Sequence, residues 1–349
     1  MSGTFSGGPY RVAQWATGNI GSRALRHIIE HPTMELVGVH VYGEDKVGLD
    51  AGELCGVDPT GVRATDSIDA IIAAQPDCVV YSPRRTEVDV LCELLAAGIN
   101  VVSTGGMFHN PASMDPDVRD RVEGACRAGD ASIHSTGSSP GFITEAVPLT
   151  LLSIQRRLDR LTIHEFADLS PRNSPELLFQ IMGFGTPPAE LNPARLEHGR
   201  ESFGPSLRTV ADALGLGFDD MDAGGEVAVA PRDIEIAAGT VPAGTVAAQR
   251  ITVSGRKDGR ELLRFQATWY CAHELDPQWG LSPTGWRISV EGDAPLEVEM
   301  PFPFPIEEMA ERSPGYTANR AVNAVPVVCA AAPGIRTIID LPMIVPIFA

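Results

Sequence analysis

The sequence predicts an α/β protein with two domains, the first built on a parallel sheet and the second on a mostly antiparallel sheet. Up to about residue 140, strand-like and helix-like segments alternate, which is the pattern of βαβ units. Beyond Pro140 and Gly141, strand-like segments follow one another directly, which is typical of an α+β domain. The length of 349 residues also fits two domains of roughly 100–200 residues each.

Five strands and four helices are predicted in the first domain. The strands are short apolar runs of the kind that a parallel sheet buries on both faces, at residues 11–15, 36–41, 78–81, 100–103 and 131–134. The helices are expected at residues 20–29, 67–74, 86–97 and 115–128. In the first helix, Ile20, Ala24 and Ile28 share one face, and Ser67 is the expected N-cap of the second.

The second domain is expected over residues 141–314. Its β-rich segments lie at residues 161–167, 226–236, 245–254, 261–271, 286–291 and 296–300. Asp258 and Gly259 separate two of them and predict a tight hairpin. Helices are expected near residues 175–182 and 207–214. A last helix over residues 316–332 is expected to return to the first domain, which then comprises residues 1–140 and about 315–349.

Composition argues against several classes of partner. The net charge is −18, and a surface of this charge repels nucleic acid and anionic membranes. The sequence has no apolar run of the length a membrane span needs and no secretory leader pattern. Its six cysteines are scattered without the spacing of a disulfide framework or a zinc site. We therefore expect a cytoplasmic protein that holds no metal and binds neither nucleic acid nor membrane.

A glycine-rich segment joins the first strand to the first helix. Residues 16–21 read ATGNIG and match the pattern G-x-G-x-x-G, with alanine at its first position. In this pattern the second glycine lets the backbone approach a pyrophosphate, and the free N–H groups of the helix face the phosphates. A plain tight turn is the alternative. The context predicts a Rossmann-type NAD(P)-binding domain, with cofactor contacts from Ala16, Thr17, Gly18, Asn19 and Ile20.

The segment after the second strand bears on the choice between NAD and NADP. NAD-binding domains usually place an acid at the end of this strand, where it binds the ribose hydroxyls. Residues 40–46 read HVYGEDK, so no acid stands directly at the strand end. Lys46 can meet a 2′-phosphate, whereas Glu44 and Asp45 can bind a ribose. We expect NADP, with NAD left open, and place Tyr42 and Lys46 in the cofactor site.

The ends of the later strands add candidate residues, because open α/β sheets bind ligands at the carboxyl ends of their strands. His134, at the end of the fifth strand, and Phe142, in the crossover, are expected at the substrate. Asn323 lies one turn after Asn319 on the last helix and is expected at the cofactor. Both His134 and Asn323 have a purely structural alternative. Further cofactor contacts are expected from Ser82, Pro83, Thr104 and Gly105.

Several segments resemble one known family. They read VAQWATGNIGSRALR, KVGLDAGELCGV, NVVSTGG, GSSPGF and GYTANRAVNAVP, and they are similar to the dihydrodipicolinate-reductase-like family. The closer branch holds 2,4-diaminopentanoate dehydrogenase and the native amine dehydrogenases, mycobacterial members included. The resemblance implies that a small amine and NAD(P)⁺ interconvert with a ketone or aldehyde, ammonia and NAD(P)H, in a homodimer whose sheet domains meet. A carbonyl or imine reductase without ammonia and a non-catalytic NAD(P)-binding regulator are the alternatives.

The chain departs from this branch at one position. The resemblance places a glutamate that handles ammonia or the imine after the fourth strand, where this chain has Gly106. Either an acid from elsewhere replaces it, or the chemistry differs. The next carboxylates suited to proton transfer are Glu165 and Asp168, on the strand that opens the second domain, and we predict that one is catalytic. Their spacing places them on opposite faces of a regular strand, and a solvent-facing sheet residue is the alternative for each.

Overall fold

The structure, a computed structural model, describes residues 8–188 and 193–348. The strands are β1 Tyr10–Trp15, β2 Met34–His40, β3 Cys78–Tyr81, β4 Asn100–Ser103, β5 Ser132–Ser135, β6 Leu158–Asp168, β7 Asp220–Val229, β8 Ile234–Ile236, β9 Gly239–Val241, β10 Val246–Lys257, β11 Arg260–Tyr270, β12 Gly285–Gly292, β13 Leu296–Pro301 and β14 Gly334–Arg336. The α-helices are α1 Asn19–Glu30, α2 Ala51–Cys55, α3 Ile68–Ala73, α4 Val88–Ala96, α5 Pro116–Gly129, α6 Val147–Leu152, α7 Pro193–Ala213 and α8 Met309–Cys329. Among the described residues, no helix is long and apolar enough to cross a membrane.

The chain forms two compact units. The first unit contains the residues up to Phe142 together with those from Arg312 onward, and the second unit runs from Ile143 to Glu311. A helical segment with a kink, Ser138–Ala146, carries the chain from the first unit into the second. Gly141 in this kink has a φ of +117°, a conformation that residues with a Cβ rarely adopt.

The first unit is built on a six-stranded sheet in the order β14-β5-β4-β3-β1-β2. Every neighbouring pair is parallel, so the predicted Rossmann-type sheet is confirmed. Helix α8 packs on one face, where Ala321 and Val325 share a buried cluster with Val12 and Val80. The predicted return of the last helix to this sheet is therefore confirmed. Strand β14, which follows α8, was not predicted because three residues carry no recognisable period.

The second unit is built on a mixed six-stranded sheet in the order β13-β12-β6-β11-β10-β7. Only β6 and β11 run parallel within it, and the other neighbouring pairs are antiparallel, as predicted. Helix α7 packs on this sheet, with the Phe203 and Phe265 rings 3.9 Å apart. Asp258 and Gly259 have φ values of +50° and +72°, which form the predicted tight hairpin between β10 and β11.

Two predictions in the second unit were wrong. The strand expected over residues 226–236 is two elements, because β7 ends at Val229 and β8 begins at Ile234. Pro231 lies in the gap and cannot donate a backbone N–H to a sheet. Helix α7 spans Pro193–Ala213, much longer than the expected 207–214. Pro205 lies inside it, and the residue before a proline is usually a helix boundary.

Candidate cofactor and acid–base sites

The glycine-rich turn has the geometry that close approach to a phosphate requires. Gly18 caps α1, with a φ of −75°, and a Cβ built on it meets no atom within 4 Å. The backbone at this end of the helix is therefore open. A Cβ built on Gly21, by contrast, falls 2.0 Å from the carbonyl oxygen of Ala16. Gly21 thus permits tight packing of α1 on β1, and Gly18 leaves space beside free N–H groups.

Lys46 lies against this turn. Its Nζ donates hydrogen bonds to the Thr17 carbonyl oxygen at 3.2 Å and to the Thr17 Oγ1 at 3.3 Å. The lysine comes from a short 3₁₀ helix, Glu44–Lys46, that follows β2. Two residues predicted separately for the cofactor site are thus in contact, and they place a cation beside the turn. A cation there favours a phosphate group.

An aromatic cluster lies at the carboxyl ends of β1 and β2. The Trp15 ring stacks on His40 with centroids 3.7 Å apart, and its Nε1 donates to the Tyr42 hydroxyl at 3.0 Å. That hydroxyl donates a short hydrogen bond to the Glu87 carboxylate. Burial raises the pKa of Tyr42, and the hydrogen bond to Glu87 raises it further. Tyr42, predicted for the cofactor site, is therefore a neutral, fixed side chain that remains 54% exposed.

Neighbouring strand ends hold the loops after β3 and β4 in place. The Ser82 hydroxyl donates to the Trp15 carbonyl oxygen at 3.2 Å. The Ser135 hydroxyl donates to the Gly105 carbonyl oxygen at 2.7 Å, and the Thr104 backbone N–H donates to the Tyr81 carbonyl at 3.0 Å. Ser82, Thr104 and Gly105 thus lie at one edge of the sheet, where ligands of open α/β sheets bind. Pro83 follows Ser82 and is partly buried.

Three further candidates of the first unit differ in their surroundings. His134 is buried inside β5, and its Nδ1 lies 2.7 Å from the Arg336 carbonyl oxygen of β14. The Phe142 ring lies 5.8 Å from the guanidinium carbon of Arg320. Asn323 has a buried Oδ1 that finds no hydrogen-bond partner among the described residues. Because buried polar atoms are usually paired, this oxygen is suited to an N–H group of a bound molecule.

The two carboxylates predicted as catalytic lie in the second unit and have different partners. Glu165 accepts a hydrogen bond from Trp286 Nε1 at 3.3 Å. Asp168 is only 6% exposed; its Oδ1 accepts from the Ser170 backbone N–H at 2.9 Å, and its Oδ2 lies 3.3 Å from His273 Nε2. The structure thus gives each carboxylate its own environment and does not bring the two together.

His273 was missed in the sequence. It follows β11, its side chain is 73% exposed, and its ring lies edge-on to Tyr270 at 5.3 Å. Burial, together with the charge of Asp168, raises the pKa of Tyr270 to about 12. The parallel pairing of β6 with β11, which sets Asp168 opposite Tyr270, places His273 at this carboxylate. No local sequence pattern around residue 273 predicts that pairing.

These features fit a dinucleotide in the first unit. The open backbone at Gly18 and the Lys46 ammonium suit phosphates, and the Asn323 carboxamide oxygen suits a hydrogen-bond donor. Gly106, by contrast, begins a short 3₁₀ helix, Gly106–Phe108, and carries no side chain that can exchange a proton. Gly106 therefore supplies no proton-transfer group at the position where the resemblance places a glutamate.

Comparison with known proteins supports the same assignment. The chain matches the dihydrodipicolinate reductase N-terminus over residues 15–113. It is 30% identical to an amine dehydrogenase of Streptomyces virginiae over 94% of this chain and 95% of that protein. It is 22% identical to the 2,4-diaminopentanoate dehydrogenase of Acetoanaerobium sticklandii over 95% of this chain and 93% of that protein.

A solved structure shares the fold. The amine dehydrogenase of Mycobacterium smegmatis superposes with a TM-score of 0.76 at 18% identity, covering 96% of each chain. The relatives are dehydrogenases, and the first unit carries the NAD(P)-binding turn, so the protein is an NAD(P)-dependent oxidoreductase. Residues 142–349 match the 2,4-diaminopentanoate dehydrogenase C-terminal domain, and the chain belongs to that family, within the dihydrodipicolinate-reductase-like proteins.

Proposed function

We propose that the protein is an amine dehydrogenase, which interconverts a small amine with the corresponding ketone or aldehyde and ammonia. The observation that carries this proposal is the 30% identity, over 94% of the chain, to a relative named amine dehydrogenase. A nicotinamide cofactor, when bound, accepts or donates the hydride of such a reaction. Thr17 and Gly18 would hold its pyrophosphate, Lys46 would hold the 2′-phosphate of NADP, and Asn323 would accept a hydrogen bond from the cofactor.

An ammonium-dependence assay tests this function. The purified protein is given NADPH or NADH and a panel of small ketones and aldehydes, each with and without ammonium. We expect cofactor oxidation only when a carbonyl compound and ammonium are both present, because the amine nitrogen must come from ammonia. Oxidation at the same rate without ammonium would instead identify a carbonyl reductase. Cofactor binding with no turnover on any acceptor would favour a regulatory protein.

We propose NADP as the preferred cofactor, and Lys46 as the residue that selects it. The ammonium already lies beside the turn, bonded to Thr17, and no acid occupies the end of β2. Lys46→Ala should weaken NADPH binding by about 1–3 kcal/mol, the size of a hydrogen bond to a charged group. NADH binding should be nearly unchanged, because NADH has no 2′-phosphate.

Titration of both cofactors against the Lys46→Ala protein measures this selectivity. Lys257→Ala is a matched control, because that lysine ends β10 in the second unit, and its loss should affect neither cofactor. Equal losses of NADPH and NADH affinity in Lys46→Ala would show that the lysine does not discriminate between them. In that case the interaction with Thr17 supports the turn only.

We propose a homodimer formed through the sheet of the second unit, in the cytoplasm. Supporting it, that sheet carries partly buried polar side chains from adjacent strands, His164, Arg250, Arg264 and Arg287. Burial, together with the charges of the three arginines, lowers the pKa of His164 to about 4, so the imidazole is neutral at pH 7. Arginine is enriched in protein interfaces. Sedimentation equilibrium should give twice the 37.2 kDa chain mass; a species of the chain mass alone would contradict the dimer.

A further inference from the structure

The glycine-rich turn contains an unfavourable residue. Ala16 stands where the G-x-G-x-x-G pattern has its first glycine, and its φ is +71°. This left-handed conformation is readily adopted by glycine and costs free energy for a residue with a Cβ. Ala16 is also buried, at 7% exposure, so the surrounding residues prevent its backbone from moving to a more favourable conformation. Some other interaction has to hold the turn in this shape.

Gln14 makes the contacts that can do so. Its side chain is fully buried, and its Nε2 donates to the carbonyl oxygens of Ala16 at 2.9 Å and Trp15 at 3.1 Å. The same nitrogen lies 2.8 Å from the Ser82 Oγ. Because all three contacts of the nitrogen are with oxygen atoms, the carboxamide has one favourable orientation. Gln14 thus ties two successive carbonyls of the turn to the loop that follows β3.

The position of the Ala16 carbonyl shows why this bond matters. The oxygen lies 2.0 Å from where a Cβ of Gly21 would be, so it points into the narrow space between β1 and α1. A carbonyl buried there without a donor would carry an unmet desolvation cost. Gln14 supplies the donor, and the N–H of the same residue, Ala16, is held separately because it donates to the His40 carbonyl at 2.9 Å.

We propose that Gln14 is a positioning residue for the cofactor, and that its side chain holds the Ala16 turn in the shape that phosphate binding at Gly18 needs. Gln14 touches no part of the cofactor in this scheme and acts through the backbone of residues 15 and 16. The proposal rests on the cofactor site described above. It adds that Gln14 compensates for the alanine at the first position of the pattern, so the effects of residues 14 and 16 should be coupled.

Cofactor titration of single and double variants tests this coupling. We expect Gln14→Leu to raise the Kd for NADPH and NADH by similar factors, roughly 10–100-fold, the effect of losing one or two buried hydrogen bonds. The factors should match because both cofactors carry the same pyrophosphate. Adding Ala16→Gly should recover part of the lost affinity, since glycine removes the cost of the left-handed conformation but does not replace the hydrogen bonds of Gln14. Ala16→Gly alone should change the Kd by less than about 3-fold.

Gln249→Leu is the control for a purely structural effect. Gln249 is also a buried glutamine whose Nε2 donates to one backbone carbonyl, that of Met182, but it lies in the second unit. We expect this variant to lower the melting temperature without changing the Kd of either cofactor. Gln14→Asn keeps the carboxamide but shortens its reach, and replaces Gln14→Leu if that protein does not fold; it should raise the Kd by roughly 3–10-fold.

The possible outcomes distinguish a failure of the Gln14 proposal from a failure of the proposed cofactor site. If Gln14→Leu and Gln14→Asn fold and bind both cofactors as the wild type does, the positioning role is wrong and Gln14 serves only the core. Independent effects of Gln14→Leu and Ala16→Gly would refute the compensation. Failure of the wild-type protein to bind either cofactor would instead overturn the cofactor site, whatever the variants do.

Discussion

Replacing Gly18 with valine should abolish cofactor binding and leave the fold intact. A Cβ at this position meets no protein atom within 4 Å, and the φ of −75° suits any residue. The branched side chain would therefore extend into the open space where we place the pyrophosphate. We expect the Kd for NADPH and NADH to rise at least about 100-fold, equivalent to roughly 2.7 kcal/mol. Fluorescence titration measures the Kd, and a thermal melt followed by circular dichroism checks the fold.

Two other glycines serve as comparisons for Gly18→Val. Gly124 lies on α5, and a Cβ there also meets nothing within 4 Å; Gly124→Val should change neither affinity nor melting temperature appreciably. Gly21→Val should behave in the opposite way and destabilise the protein, because its Cβ would collide with the Ala16 carbonyl. Normal cofactor affinity in the Gly18→Val protein would mean that this turn is not the phosphate site.

The fold of the first unit could be predicted because its signals are local. A strand buried on both faces is a short apolar run. Strands β3 and β4 have the same first and last residues as the predicted runs, 78–81 and 100–103. Helix α7 was underestimated because Pro205 and two glycines interrupt its pattern, and β14 was missed because it is three residues long. Such elements depend on tertiary contacts more than on the intrinsic helix or strand propensity of their residues.

The candidate site residues could be predicted where they follow the carboxyl end of a strand. Lys46 and Thr17 were each placed near the phosphates, but their contact depends on how the chain folds back after β2. Gln14 left one local signal, a polar residue within the otherwise apolar strand VAQW, which indicates a buried side chain with specific partners. His273 left none, because only the pairing of β6 with β11 brings it to Asp168.

The second large effect is expected from the carboxylates of the second unit. Reductive amination moves protons while ammonia adds to the carbonyl carbon and water leaves, and it passes through a cationic iminium. A carboxylate can stabilise that cation and transfer protons. Gly106 can do neither. We therefore expect either Asp168→Asn or Glu165→Gln, but not both, to lower the amination rate by roughly 10²–10⁴-fold, with cofactor binding retained.

Asp168 is the stronger candidate of the two. It is almost fully buried, and its second oxygen faces His273 Nε2, so the carboxylate can orient an imidazole that is open to solvent. Glu165 accepts a hydrogen bond from the Trp286 indole, a neutral group that moves no proton at ordinary pH. We expect the Asp168→Asn protein to lose most of its amination rate and the Glu165→Gln protein to stay within a few-fold of the wild-type rate. The rate is measured as kcat at saturating ammonium and carbonyl compound.

Removing the imidazole shows whether the pair acts as a unit. If Asp168 works through His273, then His273→Asn should lower kcat as much as Asp168→Asn does, and the double variant should lose little more, because groups in one relay are strongly non-additive. Full activity in His273→Asn with a large loss in Asp168→Asn would assign the proton transfer to the carboxylate itself. Wild-type rates in both carboxylate variants would show that neither carboxylate of β6 takes part in proton transfer. The protons would then have to travel through water or through groups of the substrate.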